Sequence, residues 1–178
     1  MNSKSKKVAL FGLMVALAFM LSYLESLLPF NFGVPGVKLG LANIVTVYAV
    51  YRFSVKETFL MVLTRVLLGA FFSPNFSAVI YSLAGSMLCL CGMIPLKKII
   101  PIDYIFVCSI IGAVLHNTGQ LVTAALMTGT TAVFGYSPHL MISGAAAGMF
   151  TGLCAKYILK RLPKKFKRRN ENEPDEFT

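Results

Sequence analysis

Six apolar segments alternate along the chain with short stretches that contain glycine, proline and most of the charged residues. Backbone amides in lipid must be satisfied within their own segment, so each apolar segment is predicted to be a helix. We therefore expect an all-α integral membrane bundle of about six transmembrane helices in residues 1–160, followed by a disordered tail in 161–178 that is first basic and then acidic. The predicted segments are Val8–Leu28, Leu39–Tyr51, Glu57–Phe72, Ala78–Leu96, Tyr104–Met127 and Pro138–Leu159.

The second and third segments are short for a bilayer and allow two interpretations. They form either a re-entrant hairpin or two complete spans, with Arg52 and Lys56 at the turn between them. A hairpin tip would place both cations deep in the membrane, at a cost of roughly 2.5–3.5 kcal/mol each. We therefore favour two spans, with the Pro29–Gly40 loop packed into the outer side of the bundle.

Composition and charge support this assignment and indicate its orientation. The chain is 56% hydrophobic and only 13% charged, whereas soluble domains are about 25% charged. Its net charge of +10 comes from basic residues that flank the apolar segments, which disfavours nucleic-acid binding. Alternating helices put nearly all of these residues on one side, so both termini are predicted to be cytoplasmic in a multi-pass protein of the cell membrane. The four cysteines lie inside apolar segments without metal-finger spacing, and we expect no metal or cofactor.

Polar side chains within the predicted spans gather in the half of the bundle nearer the outer face. Such groups are costly in lipid and usually face a cavity, a partner or a pathway. The inner half is almost purely apolar, so the pattern favours a pocket open to the outside over a continuous pore. The candidate substrate-binding residues are Lys38, Asn43, Arg65, His116, Asn117 and Gln120.

Each of these candidates also has a purely structural interpretation. The three on the fifth segment share or adjoin one helix face, where they either bind a polar ligand or connect helices through hydrogen bonds. Lys38 and Arg65 either bind an anionic ligand group or pair with Glu25. Asn43 either binds the ligand or holds the loop that precedes it.

Small residues recur at helical spacing on the first and sixth segments. Gly12 and Ala16 are four residues apart, as are Gly144, Gly148 and Gly152. Small residues let helices approach closely, so each set serves either internal packing or docking of another membrane subunit. The sequence carries no Gly-x-x-x-x-Gly-Lys-Ser/Thr loop, no aspartate-rich pair and no His-Glu-x-x-His motif, so we predict no catalytic activity for this chain.

Five short motifs follow one another between residues 8 and 160. They are Pro35–Ile44, Arg65–Gly69, Ser82–Gly85, Gly112–Gln120 and Ser143–Gly152. In these segments the chain resembles the Gx transporter family, whose members are often labelled heptaprenyl diphosphate synthase component I. That family is similar to the substrate-binding S components of energy-coupling factor (ECF) transporters, which are six-helix proteins with an outward-facing pocket.

The resemblance implies partners as well as a fold. Gly12 and Ala16 would dock onto a transmembrane coupling subunit driven by separate ATPases, although S components typically carry alanine at both positions. The first function expected is therefore binding of a small polar or anionic molecule for an ECF-type importer. The second is a non-catalytic subunit of isoprenoid diphosphate or quinone metabolism, partnered by a prenyl synthase, in which Lys38 and Arg65 hold a diphosphate. The third is a structural subunit of an electron-transfer assembly.

Overall fold

Six α-helices form the part of the chain that the computed structural model describes, residues 3–27, 40–72 and 76–161. Each predicted apolar segment overlaps one of these helices, so the all-α prediction is confirmed. Short 3-10 helices at Ile102–Tyr104 and Ala132–Tyr136 precede the last two. Lys38, most of the Pro29–Gly40 loop and the predicted tail from residue 162 onward lie outside the described residues. The helices are α1 (Ser3–Leu27), α2 (Leu41–Arg52), α3 (Val55–Phe72), α4 (Phe76–Ile99), α5 (Ile105–Thr128) and α6 (Ser137–Arg161).

Four of the helices are long and apolar enough to cross a membrane. They are α1, α4, α5 and α6, the last two together with the 3-10 helices that precede them. At about 1.5 Å per residue, the 24 residues of α4 extend further than the roughly 30 Å of a hydrocarbon core. The chain is therefore a helical membrane bundle, as its hydropathy predicts.

Helix α2 is short because protein, rather than lipid, surrounds it. Its 12 residues extend for only about 18 Å. Ala42 and the whole run Val45–Val50 are buried, and α2 contacts α1, α3, α4 and α6. A helix that is apolar all round is typical of a buried position. The short second segment is thus the central helix of the bundle.

The turn between α2 and α3 lies level with the C-terminal end of α6. Arg52 donates a hydrogen bond from Nη2 to the carbonyl oxygen of Leu159 at 3.0 Å. The same end of the bundle carries Lys97 and Lys160, and we call it the basic end. Arg52 therefore lies at this end of the bundle, but neither α2 nor α3 is among the described helices that are long and apolar enough to cross a membrane, so the choice between two spans and a hairpin stays a prediction.

Two further hydrogen bonds close helix ends at the basic end. Lys97 Nζ donates to the carbonyl oxygen of Val50 at 3.0 Å, and Tyr51 Oη donates to that of Ile100 at 3.1 Å. The last carbonyl groups of a helix lack intrahelical partners and carry partial negative charge, which cations stabilise. The predicted cytoplasmic cations therefore also stabilise the fold, since they tie α2, α4 and α6 together.

Glycines bring α4, α5 and α6 into close contact. A Cβ atom on Gly119 of α5 would lie 2.9 Å from the Cα atom of Gly85 on α4. A Cβ on Gly152 of α6 would lie 2.6 Å from the Cα atom of Phe106, and one on Gly148 would meet the α5 backbone at 2.8 Å. The small-residue ridge of α6 thus packs against α5, and the alternative of a docking face does not hold for it.

Helix α4 continues further than its sequence predicts. The predicted segment ends at Leu96, one residue after Pro95, whereas the helix passes through this proline and ends at Ile99. A proline inside a helix leaves one carbonyl, here that of Cys91, without its usual amide partner. Membrane helices tolerate this because neighbouring groups and local adjustments satisfy the carbonyl. Pro101, which follows the helix, marks its actual end.

Candidate ligand-binding pocket

A hollow of about 100 Å³ lies in the half of the bundle opposite the basic end. All six helices contribute to its wall. A cavity needs only about 10–15 Å³ to hold one water molecule, so this volume has room for several waters or a small molecule of similar extent. The structure brings together five of the six candidate binding residues here, and the sixth, Lys38, lies outside the described residues. The five are Asn43, Arg65, His116, Asn117 and Gln120.

Arg65 brings a buried positive charge to this wall from the middle of α3. Its side chain is only 7% exposed. Among the described residues it forms no ion pair, and its one hydrogen bond runs from Nη2 to Ser86 Oγ at 3.4 Å, which is long for such a contact. A guanidinium group has five N–H donors, so most of them are left for other groups in the hollow.

Glu25 lines the same hollow but is engaged by the backbone of α2. Its Oε1 atom accepts a hydrogen bond from the Gly40 amide at 2.5 Å, and Oε2 accepts one from the Leu41 amide at 3.2 Å. A carboxylate at this place satisfies free amides and complements the positive end of the helix dipole. Gly40 has φ of 72°, which favours glycine. Within the described residues, Glu25 therefore binds backbone amides and does not form the alternative ion pair with Arg65.

The polar residues of α5 differ in their roles. Asn117 Nδ2 donates to the carbonyl oxygen of Leu140 on α6 at 2.6 Å, so it connects two helices while it lines the hollow. His116 and Gln120 lie one turn apart beside Gly85 of α4. A Cβ atom there would be 3.1 Å from His116 Cε1 and 2.9 Å from Gln120 Cγ. The glycine thus leaves the space that these two side chains occupy.

The five motif segments of the sequence meet at this hollow. Every residue that lines it falls within one of them, except Ser22 and Glu25 on α1. A model of the family described as heptaprenyl diphosphate synthase component I matches residues 14–158. The chain belongs to this family. Neither the curated proteins nor the solved structures include a match to the chain.

Several hydroxyl groups at the hollow were not among the residues predicted from the sequence. Ser22, Ser82 and Thr151 also line the hollow, and Ser86 bonds to Arg65. A hydroxyl on a membrane helix can bond to its own backbone, so its presence in a sequence does not indicate a site. The capping role of Glu25 could not be predicted either, because Glu25 lies on α1 and the amides of Gly40 and Leu41 that it binds lie 15 and 16 residues further along the chain.

The family description refers to a synthase, which raises the question of a metal-binding group in the described residues. No group of three or more His, Cys, Asp or Glu side chains in them is arranged to hold a metal ion. Of the two histidines, His116 lines the hollow, whereas His139 is exposed near the start of α6. The family description, component I of a synthase, is compatible with the prediction that this chain is an accessory subunit rather than the enzyme itself.

The small pair on α1 lies on an open surface. Gly12 and Ala16 are both exposed, and a Cβ atom added at Gly12 would have no neighbour within 4 Å. Large apolar side chains of α1 are exposed as well, among them Leu13 and Met20. Unlike the α6 ridge, this pair is not used for packing within the described part of the chain.

Proposed function

We propose that this chain is the substrate-binding membrane component of an ECF-type importer, and that its hollow binds a small polar molecule with an anionic group. The observation that carries the proposal concerns Arg65. Its side chain is 7% exposed, lines the hollow and makes one long hydrogen bond within the part of the chain that the structure describes. A buried charge is costly unless it is paired and hydrogen-bonded. An anionic ligand group would supply both the counter-charge and the missing acceptors.

The position of the hollow supports capture from outside the cell. Basic residues flank membrane spans mainly on the cytoplasmic side, and the hollow lies in the opposite half of the bundle. Nearer the basic end, the buried hydroxyl of Thr58 is already bonded to the carbonyls of Ala49 and Ser54. The proposal therefore places both termini in the cytoplasm and the ligand entrance on the outer face.

Helix α1 supports the proposal that partner subunits drive transport. Only 11% of its membrane-length window is buried, against 28–39% for the other three long helices. The exposed Gly12 and Ala16 would let a helix of a coupling subunit approach the α1 backbone. The chain has no phosphate-binding loop of its own, so separate ATPases would provide the energy.

The family description favours a second candidate, a membrane subunit of a prenyl diphosphate synthase. In that role Arg65 would hold a diphosphate group, while a hollow of about 100 Å³ would leave a long prenyl chain in the lipid. A diphosphate carries more negative charge than Arg65 alone neutralises, so this role also needs Lys38, which lies outside the described residues. We rank this function second, and an electron-transfer subunit last, because the described residues offer no matched pair of histidines.

Retention of small molecules tests the first proposal. The full chain is placed in lipid nanodiscs, incubated with a defined mixture of small metabolites and washed, and the retained molecules are identified by mass spectrometry. We expect the wild type to retain a molecule with an anionic group and Arg65→Gln to lose it. The control Arg161→Gln, an exposed cation at the basic end, should retain it. Equal retention by Arg65→Gln would contradict the proposal.

Partner capture separates the two candidate functions. A tagged chain purified gently from its native membrane should bring down a membrane coupling subunit and ATPases. Replacing the exposed Gly12 by leucine should reduce this capture without loss of ligand retention, because the change lies on α1 and away from the hollow. Capture of a prenyl synthase, with altered product length in its absence, would favour the second candidate.

A further inference from the structure

Two opposite charges line the hollow without forming an ion pair. Arg65 is 7% exposed and Glu25 is 9% exposed, and both side chains face the same space. No Arg65 nitrogen lies within 4 Å of a Glu25 oxygen among the described contacts. Buried charges usually pair directly when they are close enough, since pairing offsets the loss of hydration. Here the separation leaves each charge facing the hollow.

Both groups keep capacity for a ligand. An ionised carboxylate has about four acceptor positions, and the amides of Gly40 and Leu41 use two of those on Glu25. Toward the described residues, Arg65 uses one of its five N–H donors. The hollow therefore presents free donors with positive charge on the α3 side and free acceptors with negative charge on the α1 side.

The balance of charge selects among ligand types. Among the described residues of the wall, Arg65 and Glu25 are the members of the strongly acidic and basic residue types, and their opposite charges cancel. A simple anion would leave the hollow with a net negative charge, and a simple cation would leave it with a net positive one. Either is unfavourable in an interior of low dielectric constant. A molecule with both charges gives each buried group a partner and leaves no net charge.

We propose that the bound molecule is a small zwitterion of amino-acid type, with its carboxylate at Arg65 and its ammonium group at Glu25. This inference rests on the proposed function and specifies its substrate class. The amides of Asn43 and Gln120, which line the same hollow, hydrogen-bond the uncharged part of the molecule. A hollow of about 100 Å³ is small, which favours a single amino acid over a peptide.

Matched probes test the charge requirement. Binding to the full chain in nanodiscs is measured at pH 7 for glycine, alanine, threonine and leucine. Each amino acid is compared with the acid that lacks its amino group and with its amide, which lacks the carboxylate. We expect at least one amino acid to bind ten times or more tightly than both of its matched analogues.

Two variants assign the two charges. In Glu25→Gln the advantage of the amino acid over its deaminated analogue should fall below threefold, while its advantage over the amide persists and shows that the pocket is intact. In Arg65→Gln the tighter binding of the amino acid relative to its amide should fall below threefold, while its tighter binding relative to the deaminated analogue persists. Asp103→Asn, which removes an exposed acid at the basic end, should keep the wild-type pattern.

The outcomes separate this inference from the function on which it rests. If a deaminated acid binds as tightly as its amino acid, the zwitterion is excluded, while Arg65-dependent binding of that acid still supports an importer of anions. If no probe of any series binds, the inference is overturned. Retention of some other molecule in an Arg65-dependent manner would then still support the proposed function, and absence of such retention would overturn both.

Discussion

The contact between α5 and α6 can be tested by adding a single methyl group to the glycine ridge. In Gly152→Ala the new Cβ atom would lie 2.6 Å from Phe106 Cα and 2.7 Å from Ser109 Cβ. Ordinary van der Waals contact begins near 3.4 Å, so the two helices would have to separate by about 0.8 Å. Because the nearest atom belongs to the backbone, no rotation of a flexible side chain can relieve the clash.

The expected magnitude follows from two opposing effects. Overpacking of a close contact typically costs about 1–3 kcal/mol. The replacement of glycine by alanine within a helix contributes about 1 kcal/mol in the other direction. Gly69→Ala on α3 is a matched control, because a Cβ there has no neighbour within 4 Å. Both variants gain the helix propensity, so the difference between them, about 1–3 kcal/mol, reports the overpacking alone.

The free energy of unfolding is measured by titration with a denaturing detergent and followed by far-ultraviolet circular dichroism, since the chain has no tryptophan. We expect Gly152→Ala to be less stable than Gly69→Ala by the stated amount. If the two variants agree within about 0.5 kcal/mol, the close approach of α5 and α6 at this glycine is refuted.

Three further substitutions test other contacts by the same unfolding measurement. Arg52→Gln, which removes a cation from the Leu159 carbonyl, should lower stability by about 1 kcal/mol, and an unchanged value would refute this link between α2 and α6. Asn117→Leu removes the hydrogen bond to the Leu140 carbonyl and should cost about 0.6–1.7 kcal/mol; a gain in stability would contradict its connecting role. Asp103→Asn breaks an ion pair whose side chains are more than half exposed, so no measurable change is expected, and a clear loss would contradict the weak contribution of this pair.

Hydropathy and charge predict most of this fold because lipid imposes strong constraints on a chain. Backbone groups must be satisfied locally, so the six apolar segments had to become helices. The position of α2 in the centre of the bundle could not be predicted in the same way. A 12-residue apolar segment fits a short span, a hairpin arm or a buried helix equally well until its neighbours are known.

The candidate pocket was predictable to the extent that polar residues in a membrane helix must avoid lipid. That constraint indicated Arg65, His116 and Gln120 and the half of the bundle in which they meet. It could not indicate Ser86 as the partner of Arg65 or Glu25 as the cap of α2, because both contacts join residues of different helices. Sequence spacing reports neighbours on one helix and not those across an interface.

The charged and the uncharged polar groups of the described wall come from different helices. The buried charges of Glu25 and Arg65 lie on α1 and α3. The polar groups of α5 lie on a helix that glycines pack closely against α4 and α6. Close packing of this kind fixes the positions of His116 and Gln120 and thus the shape of the site. Under the proposed function, Glu25 and Arg65 would therefore select the charge of the bound molecule, and α5 would select its uncharged part. Relatives with different residues at these two places would bind molecules of different charge in a hollow of the same form.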